Sequence, residues 1–512
     1  MRTFYITTPI YYVNDIPHIG HAYTSIACDV MARFKRLSGD KVFFLSGTDE
    51  HGLKIKKSAE KAGMEPLEFT NQVSQRFRDL LTALNCSNDD FIRTTEVRHK
   101  KACQALWDKL VANGDIYLGK YSGWYAVRDE AYYAEDELTK TAGSKMIAPS
   151  GAECEWVEEE SYFFKLSAWG DRLLDFYEKN PDFIKPVTRR NEIVQFVKSG
   201  LHDLSVSRTA ISWGIPVPNE SRHVMYVWLD ALTNYISALG YPDIESEKFK
   251  DFWPSAVHVM GKDIIRFHAV YWPAFLMAAG VAPPKKVFAH GWWTNEGQKI
   301  SKSLGNVIDP YELIADYGLD QMRYFLLREV PFGNDGDFSK DSMIRRMNSD
   351  LANGIGNLAQ RTLSLIAKNC EGKVPAHSDF SEQDNKLLHA AYALPAMFSE
   401  HMNSFAFNKA LDSIWELISA ADRYIDSEAP WSLKKTDITR MQTVLFVLAE
   451  VIRIISLLLQ PFMPTSADAL LNQLSVPSDK RSLEHASGKH VLTAGTPLPA
   501  PTGVFPRFNP PK

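Results

Sequence analysis

The sequence predicts an α/β protein: a parallel sheet split by an insertion, followed by an all-α helical bundle. Three observations lead there. Short apolar runs typical of strands buried on both faces fall in two clusters, one near the N-terminus and one over residues 257–290. Between them, residues 116–222 have another texture, rich in Tyr, Trp and Glu with short strand-turn patterns. From about Ser342 onward, apolar residues recur at helical spacing. A chain of 512 residues is also too long for one hydrophobic core, so two to four domains are expected.

Phe4-Tyr5-Ile6-Thr7-Thr8 reads as a short buried strand, which Pro9 ends. A loop through Asn14-Asp15-Ile16-Pro17 leads to a helix opening near His18, and Lys41-Val42-Phe43-Phe44-Leu45 is a second buried strand. Strand, helix, strand at this spacing predicts a right-handed parallel βαβ unit. Val257-His258-Val259-Met260 and Val287-Phe288-Ala289-His290 read as further strands, flanking a helix over 266–279. Helical periodicity covers 351–366, 383–402, 408–425 and 441–459. The tail after Val476, rich in Pro, Ser and Gly, is expected to wrap a surface. These textures set the halves of the sheet domain at 1–115 and 223–292 and the insertion at 116–222. A loop-bearing region follows at 293–347, and the helical domain with its tail at 348–512.

Composition narrows the class. With 45% hydrophobic and 23% charged residues and no low-complexity tract, the chain is neither disordered nor a solenoid. A net charge of −5 gives no global sign of nucleic acid and leaves a local basic face open. The N-terminus lacks the apolar core of a signal peptide. Residues 441–459 are apolar enough to raise the question of a membrane span, but Glu450 and Arg453 in their middle are costly in lipid. A buried bundle helix is expected there. The five cysteines (Cys28, Cys86, Cys103, Cys154 and Cys370) form no CxxC pair. That fits a reducing cytosol and leaves a structural zinc site without a visible ligand set.

Two short motifs carry chemistry. His18-Ile19-Gly20-His21 stands where a strand hands over to a helix, whose free N–H groups and partial positive charge seat a phosphate. Gly20 lets adenine and ribose approach the backbone, and His18 and His21 can donate hydrogen bonds as charge builds on the α-phosphate. A plain helix start with two ordinary histidines would read the same way. Lys299-Ile300-Ser301-Lys302-Ser303 follows a strand and ends in Leu304-Gly305-Asn306. Lys299 and Lys302 suit a clamp on pyrophosphate, and Ser301 and Ser303 can hydrogen-bond it or cap a turn. Alone, this too reads as a solvated basic loop. Together, in this order and about 280 residues apart, the motifs resemble the double signature of class I aminoacyl-tRNA synthetases.

The surrounding sequence is similar to one family within that class, the methionyl-tRNA synthetases. The similarity rests on Thr7-Thr8-Pro9-Ile10-Tyr11-Tyr12-Val13-Asn14-Asp15, Gly47-Thr48-Asp49-Glu50-His51-Gly52, Val227-Trp228-Leu229-Asp230-Ala231 and Gly261-Lys262-Asp263-Ile264-Ile265-Arg266-Phe267-His268. It extends from residue 4 to about 475. The resemblance implies a Rossmann-like catalytic domain split by a connective-peptide insertion, a stem-contact region around the lysine loop, and an anticodon-binding bundle. It implies Asp49 at the methionine ammonium, a charge-assisted contact. Ile10, Tyr12, Trp228, Ala231, Tyr235, Ile264 and His268 would wall the side chain, a mostly apolar aromatic setting suited to a thioether. Tyr12 or His268 could bring a polar hydrogen to the sulfur. Gly261 and Asp263 are expected at the ATP ribose, and Arg208 near the pocket. Any one of these pocket residues can equally be plain core. Ile300 replaces the methionine common in the family's loop. The insertion has one cysteine where many relatives carry CxxC zinc knuckles, so it resembles the metal-free, single-knuckle subtype and no zinc is expected.

In the helical region Asn353, Asn357 and Arg361 follow at spacings of four, which predicts one helix face. Their amide and guanidinium groups can read unstacked bases, and Trp431 in Ala429-Pro430-Trp431 can stack on one. Read without the family, the same asparagines pack a helix and Trp431 sits in the core. The resemblance places them against the CAU anticodon of tRNA(Met), both initiator and elongator. It further implies ATP as substrate with Mg2+, a cytoplasmic enzyme and a monomer. Rival readings are a class I synthetase for leucine, isoleucine or valine, a small nucleotidylyltransferase, and an RNA-binding protein without catalysis. The first lacks room here for its editing insertion, and the second has no need of the helical half.

Overall fold

The apolar runs pair as parallel strands. A computed structural model describes residues 2–509 except 14, 15, 127, 129, 130, 134, 142 and 301–304. The strands Asp90–Arg93, Lys41–Asp49, Thr3–Thr7, Ala256–Gly261 and Lys286–His290 neighbour one another in that order. Tyr5 stands opposite Ala256, Val257 opposite Lys286, and Leu45 opposite Asp90, all in parallel register. Ala256–Gly261 is buried at every position but its last, as a strand covered on both faces must be. Strand order reverses at Thr3–Thr7, the nucleotide-binding arrangement, and the carboxyl ends on either side of such a reversal form a ligand crevice.

The sheet lies in one of two compact units, Thr3–Pro17 with Val42–His290; the other joins His18–Lys41 to Gly291–Lys512. The first unit also contains the long antiparallel pair Ile116–Ala126 and Glu153–Phe164, with Ile116 opposite Phe164. Residues 166–198 differ from the strand-turn pattern expected there. They form the helices Gly170–Lys179 and Val187–Lys198, and between these Ile184–Lys185 joins the main sheet beside Lys286–His290. A two-residue edge strand leaves no periodicity for a sequence reading to detect.

The second unit is largely helical. Asn357–Asn369, Glu382–Asn403, Phe407–Glu428 and Ile438–Leu459 match the four periodic stretches. Ser381 and Asp384 cap the second of them reciprocally. The apolar helix Ile438–Leu459 is 94% buried over its most hydrophobic window. Its two buried charges neutralise each other: Arg453 donates to Glu450 at 2.5 and 2.9 Å and to the carbonyls of His485 and Ser487 in the tail. The tail returns over the bundle, with Leu492 N–H donating to Glu450 and Phe508 N–H to Asn348.

One buried ion pair ties the Ile19–Leu37 helix into this unit. Arg323 donates to Asp29 at 2.6 Å and to the carbonyls of Pro461 and Phe462, and neither charged side chain is exposed. Removing one partner strands the other charge. Arg323→Ala is therefore expected to lower the free energy of unfolding by roughly 3–5 kcal/mol, read by urea denaturation.

Candidate active site

In the helical unit the two histidines are built into a helix start. His18 is the N-cap of Ile19–Leu37, and its Nδ1 accepts from the N–H of Gly20 at 3.1 Å. His21 Nδ1 accepts in turn from the N–H of His18, also at 3.1 Å. This is a capping box made of two imidazoles. A ring nitrogen that accepts a hydrogen bond carries no proton, so both rings are held as Nε2–H tautomers. Burial, and then the proximity of His18, pushes the His21 pKa well below its ordinary value and keeps that ring neutral. The ring centroids are 3.9 Å apart. The pair supplies neutral donors beside a helix N-terminus, where negative charge on oxygen is favoured. A Cβ at Gly20 would come within 2.9 Å of His18 Cε1, so only glycine fits beneath that ring.

The second motif belongs to the same unit. Lys299 is exposed and pairs with Thr294 across the hairpin Trp293–Asn295 and Gln298–Lys299. Asn306 Nδ2 donates to Lys299 O at 3.0 Å, and Asn295 Nδ2 to Asn306 O at 3.0 Å, so two amides pinch the base of the loop. Ile19 N–H donates to Ile308 O at 3.1 Å, and Tyr23 packs edge-on against Trp293 at 5.5 Å. The helix start and the lysine hairpin are thus fastened to one another despite their separation in sequence. Ser301, Lys302 and Ser303 lie outside the described residues.

The sheet unit holds the residues expected around the amino acid. Asp49 ends its strand, 7% exposed, with Tyr12 as its register partner on a short strand, Tyr11–Tyr12, that sequence reading missed. The loop after Asp49 is held firmly. Glu50 takes Arg93 at 2.7 and 2.9 Å along with the hydroxyls of Thr48 and Thr95, and Trp213 donates to Glu50 O at 2.6 Å.

Trp228, Ala231 and Tyr235 lie on the helix Val227–Ser237. Ile10, Trp228 and Ile264 pack against the core that includes Tyr235, and Trp228 stacks on Phe267 at 3.6 Å. Ala231 is buried. Tyr12 belongs to a separate apolar group with Tyr11, Val13 and Trp213. His268 Nδ1 faces Ile264 O at 2.9 Å and must donate, so Nε2 accepts the Tyr235 hydroxyl at 2.7 Å. Burial brings its pKa down to about 4. With both nitrogens engaged, His268 has no hydrogen for a sulfur, which corrects the expectation above and leaves Tyr12. Asp263 is exposed and folds back over Gly261, where a Cβ would lie 2.5 Å from its Oδ1. Arg208 is buried, paired with Glu159 and stacked on Tyr125 and Tyr226 at 4.4 and 5.2 Å. It lines a small cavity with Asp49, His51, Trp213 and Asp230. His51 and Asp230 stand in the quoted motifs but drew no role from sequence, because they are each other's partners 179 residues apart and Asp230 also takes the remote His99.

Elsewhere in the helical unit, Arg361 lies over Trp431 at 5.4 Å and donates to Asp426 at 2.8 Å. Trp431 is 39% exposed, presented by a left-handed turn at Ala429. Asn353 and Asn357 are exposed, but the expected even spacing is broken. Gly354 leaves helical geometry (φ −86°, ψ −110°) within a π-helical stretch, Met347–Gly356. The two asparagines are therefore offset instead of stacked one turn apart.

Comparison with known proteins decides the family. Residues 4–363 match the tRNA synthetases class I (M), and residues 374–510 match the anticodon binding domain of methionyl tRNA ligase. The chain belongs to the methionyl-tRNA synthetases. The methionine–tRNA ligase of Rickettsia bellii (strain RML369-C) is 58% identical over 513 residues, 99% of each chain. That of Brucella suis biovar 1 (strain 1330) is 57% identical over 99% of this chain and 98% of its own. Mycobacterium tuberculosis methionyl-tRNA synthetase in complex with methionyl-adenylate superposes with a TM-score of 0.97 at 50% identity, covering 99% of this chain and 100% of that one. As a class I methionyl-tRNA synthetase, this chain is a ligase that charges tRNA with methionine. For such an enzyme the two-imidazole cap carries a direct consequence. Gly20→Ala must displace His18, and the rate of methionine-dependent ATP–pyrophosphate exchange is expected to fall on the order of 10²-fold, as for loss of one preorganised donor.

Proposed function

We propose that the enzyme activates methionine with magnesium ATP and then transfers it to tRNA(Met), initiator and elongator alike, using the residues assembled above. The observation that carries this is the fastening of the His18–His21 cap to the Lys299 hairpin, since phosphate donors and a pyrophosphate clamp must act together. Asp49 receives the methionine ammonium, and Ile10, Tyr12, Trp228, Ala231, Tyr235, Ile264 and His268 enclose the thioether. Gly261 and Asp263 take the ribose of ATP, Gly20 admits the nucleotide, and Arg208 sets the floor beside Asp49.

The methionine carboxylate attacks the α-phosphorus in line and pyrophosphate leaves with magnesium. His18 and His21 donate from Nε2 to the phosphate oxygens, while Lys299 and Lys302, with Ser301 and Ser303, meet the charge on the leaving group. No covalent enzyme intermediate is needed. The tRNA 2′-hydroxyl then attacks the adenylate carbonyl. The relative from Mycobacterium tuberculosis, solved with methionyl-adenylate, supports this order.

In the helical unit, Asn353, Asn357, Arg361 and Trp431 read the anticodon; the Arg361–Trp431 stack offers an aromatic plane edged by hydrogen-bond donors. The enzyme works as a cytoplasmic monomer without zinc. In support, no two of the five cysteines form a CxxC pair, and Cys154 packs among Met146, Ala148 and Ala152.

ATP–pyrophosphate exchange with each of the twenty amino acids should respond to methionine alone, and Lys302→Ala should slow it on the order of 10²-fold. Exchange driven by another amino acid would overturn the pocket assignment, and a Lys302→Ala rate within about threefold of wild type would remove that lysine from the mechanism. Trp431→Ala should leave exchange intact and lower kcat/KM for tRNA charging about 5- to 150-fold, the loss of one stacked base.

A further inference from the structure

Four groups that the proposed mechanism does not use are buried beside Asp49 in the sheet unit. His51 Nδ1 lies 2.6 Å from Asp230 Oδ2, and His99 Nε2 lies 2.7 Å from Asp230 Oδ1. Cys103 Sγ is 3.2 Å from His99 Nε2, on the same helix, Val97–Ala112. His99 is fully buried, and Asp230 and His51 are 1% and 5% exposed. The cluster has the composition of a metal site, yet its geometry argues against one. Two ligands of one tetrahedral zinc stand about 3.3 Å or more apart, whereas His99 and Asp230 are at hydrogen-bond distance.

Hydrogen bonds hold the cluster instead. Ser237 Oγ lies 2.8 Å from Thr233 O and 3.1 Å from His99 Nδ1, and so bridges the two. His99 Nε2 faces a carboxylate and donates to it. Burial alone would raise the Asp230 carboxyl, but the attraction and hydrogen bonds of His51 and His99 outweigh it and hold it well below the usual carboxylate range. Burial pushes the Cys103 thiol up, so it stays a neutral neighbour. Arg208, facing the same cavity, is already paired with Glu159.

We propose that His51, Asp230 and His99 form a positioning relay that sets the distance between the ammonium contact and the methionine side-chain pocket. Asp230 stands between Trp228 and Ala231 on the pocket helix, and His51 follows Asp49 by two residues. The 2.6 Å bond between them is a direct strut from one half of the methionine site to the other. The proposal rests on Asp49 and Trp228 holding methionine.

Exchange kinetics on the full chain test it. Asp230→Asn should raise the KM for methionine about tenfold or more while kcat changes less than about threefold, the signature of lost charge-assisted bonds that position without reacting. His51→Gln, which keeps a side-chain N–H, should recover most of the affinity that His51→Leu loses. Histidine-selective 15N NMR of the wild type at neutral pH, assigned with the histidine variants, should show hydrogen on Nε2 of His99. A bare Nε2 on His99, stoichiometric zinc lost on Asp230→Asn substitution, or an unchanged KM in Asp230→Asn would each overturn the relay. Absence of methionine-dependent exchange in the wild type would overturn the underlying site assignment, and the NMR result, which reads the wild type without any turnover, separates the two.

Discussion

A parallel sheet buried on both faces admits polar side chains at little cost only where its strands end, and the sheet unit is organised by that constraint. Asp49 stands at the end of one strand, and Gly261 and His290 end two others. The strand order reverses at Thr3–Thr7, which is where a crevice forms between carboxyl ends. The proposed amino-acid contacts are thus concentrated where the backbone itself leaves space; the interior of the same strands is mainly apolar, and the buried Ser46 and His258 are hydrogen-bonded to Thr8 and Thr7.

Four of the charges that enter the interior are held by partners of opposite charge or by imidazoles. Glu50 holds Arg93, Asp29 holds Arg323, Glu450 holds Arg453, and Asp230 holds two imidazoles. Each pair joins segments far apart in sequence or fastens the tail to a helix. Replacing such pairs by apolar residues is often neutral for stability, so their value here is in geometry: each fixes one arrangement of the elements it joins. Three of the four touch an element that also carries a proposed site residue: the strand of Asp49, the helix of His18, and the helix of Trp228.

Hydrogen-bond accounting sharpens the roles of the histidines. His18 and His21 accept at Nδ1 and are left as donors at Nε2, His268 donates at Nδ1 and accepts at Nε2, and His99 donates from Nε2 to a carboxylate. Four rings of identical chemistry therefore serve different hydrogen-bonding roles. Backbone and hydroxyl partners make the difference, not the residue type.

The sequence alone determined the architecture and both signature motifs, because strands and helices announce themselves by periodicity and the motifs are contiguous. The four bundle helices and the buried pair within Ile438–Leu459 were legible for that reason. The two-residue strands Tyr11–Tyr12 and Ile184–Lys185 were not, since two residues carry no period. The break at Gly354 was hidden as well: glycine within a helical pattern is common, and only the backbone shows whether the turn is kept. The role of His268 depended on which atoms face its two nitrogens, and that of Asp230 on a histidine 131 residues away. Contacts of that kind are decided by tertiary packing, which brings together groups that no local pattern relates.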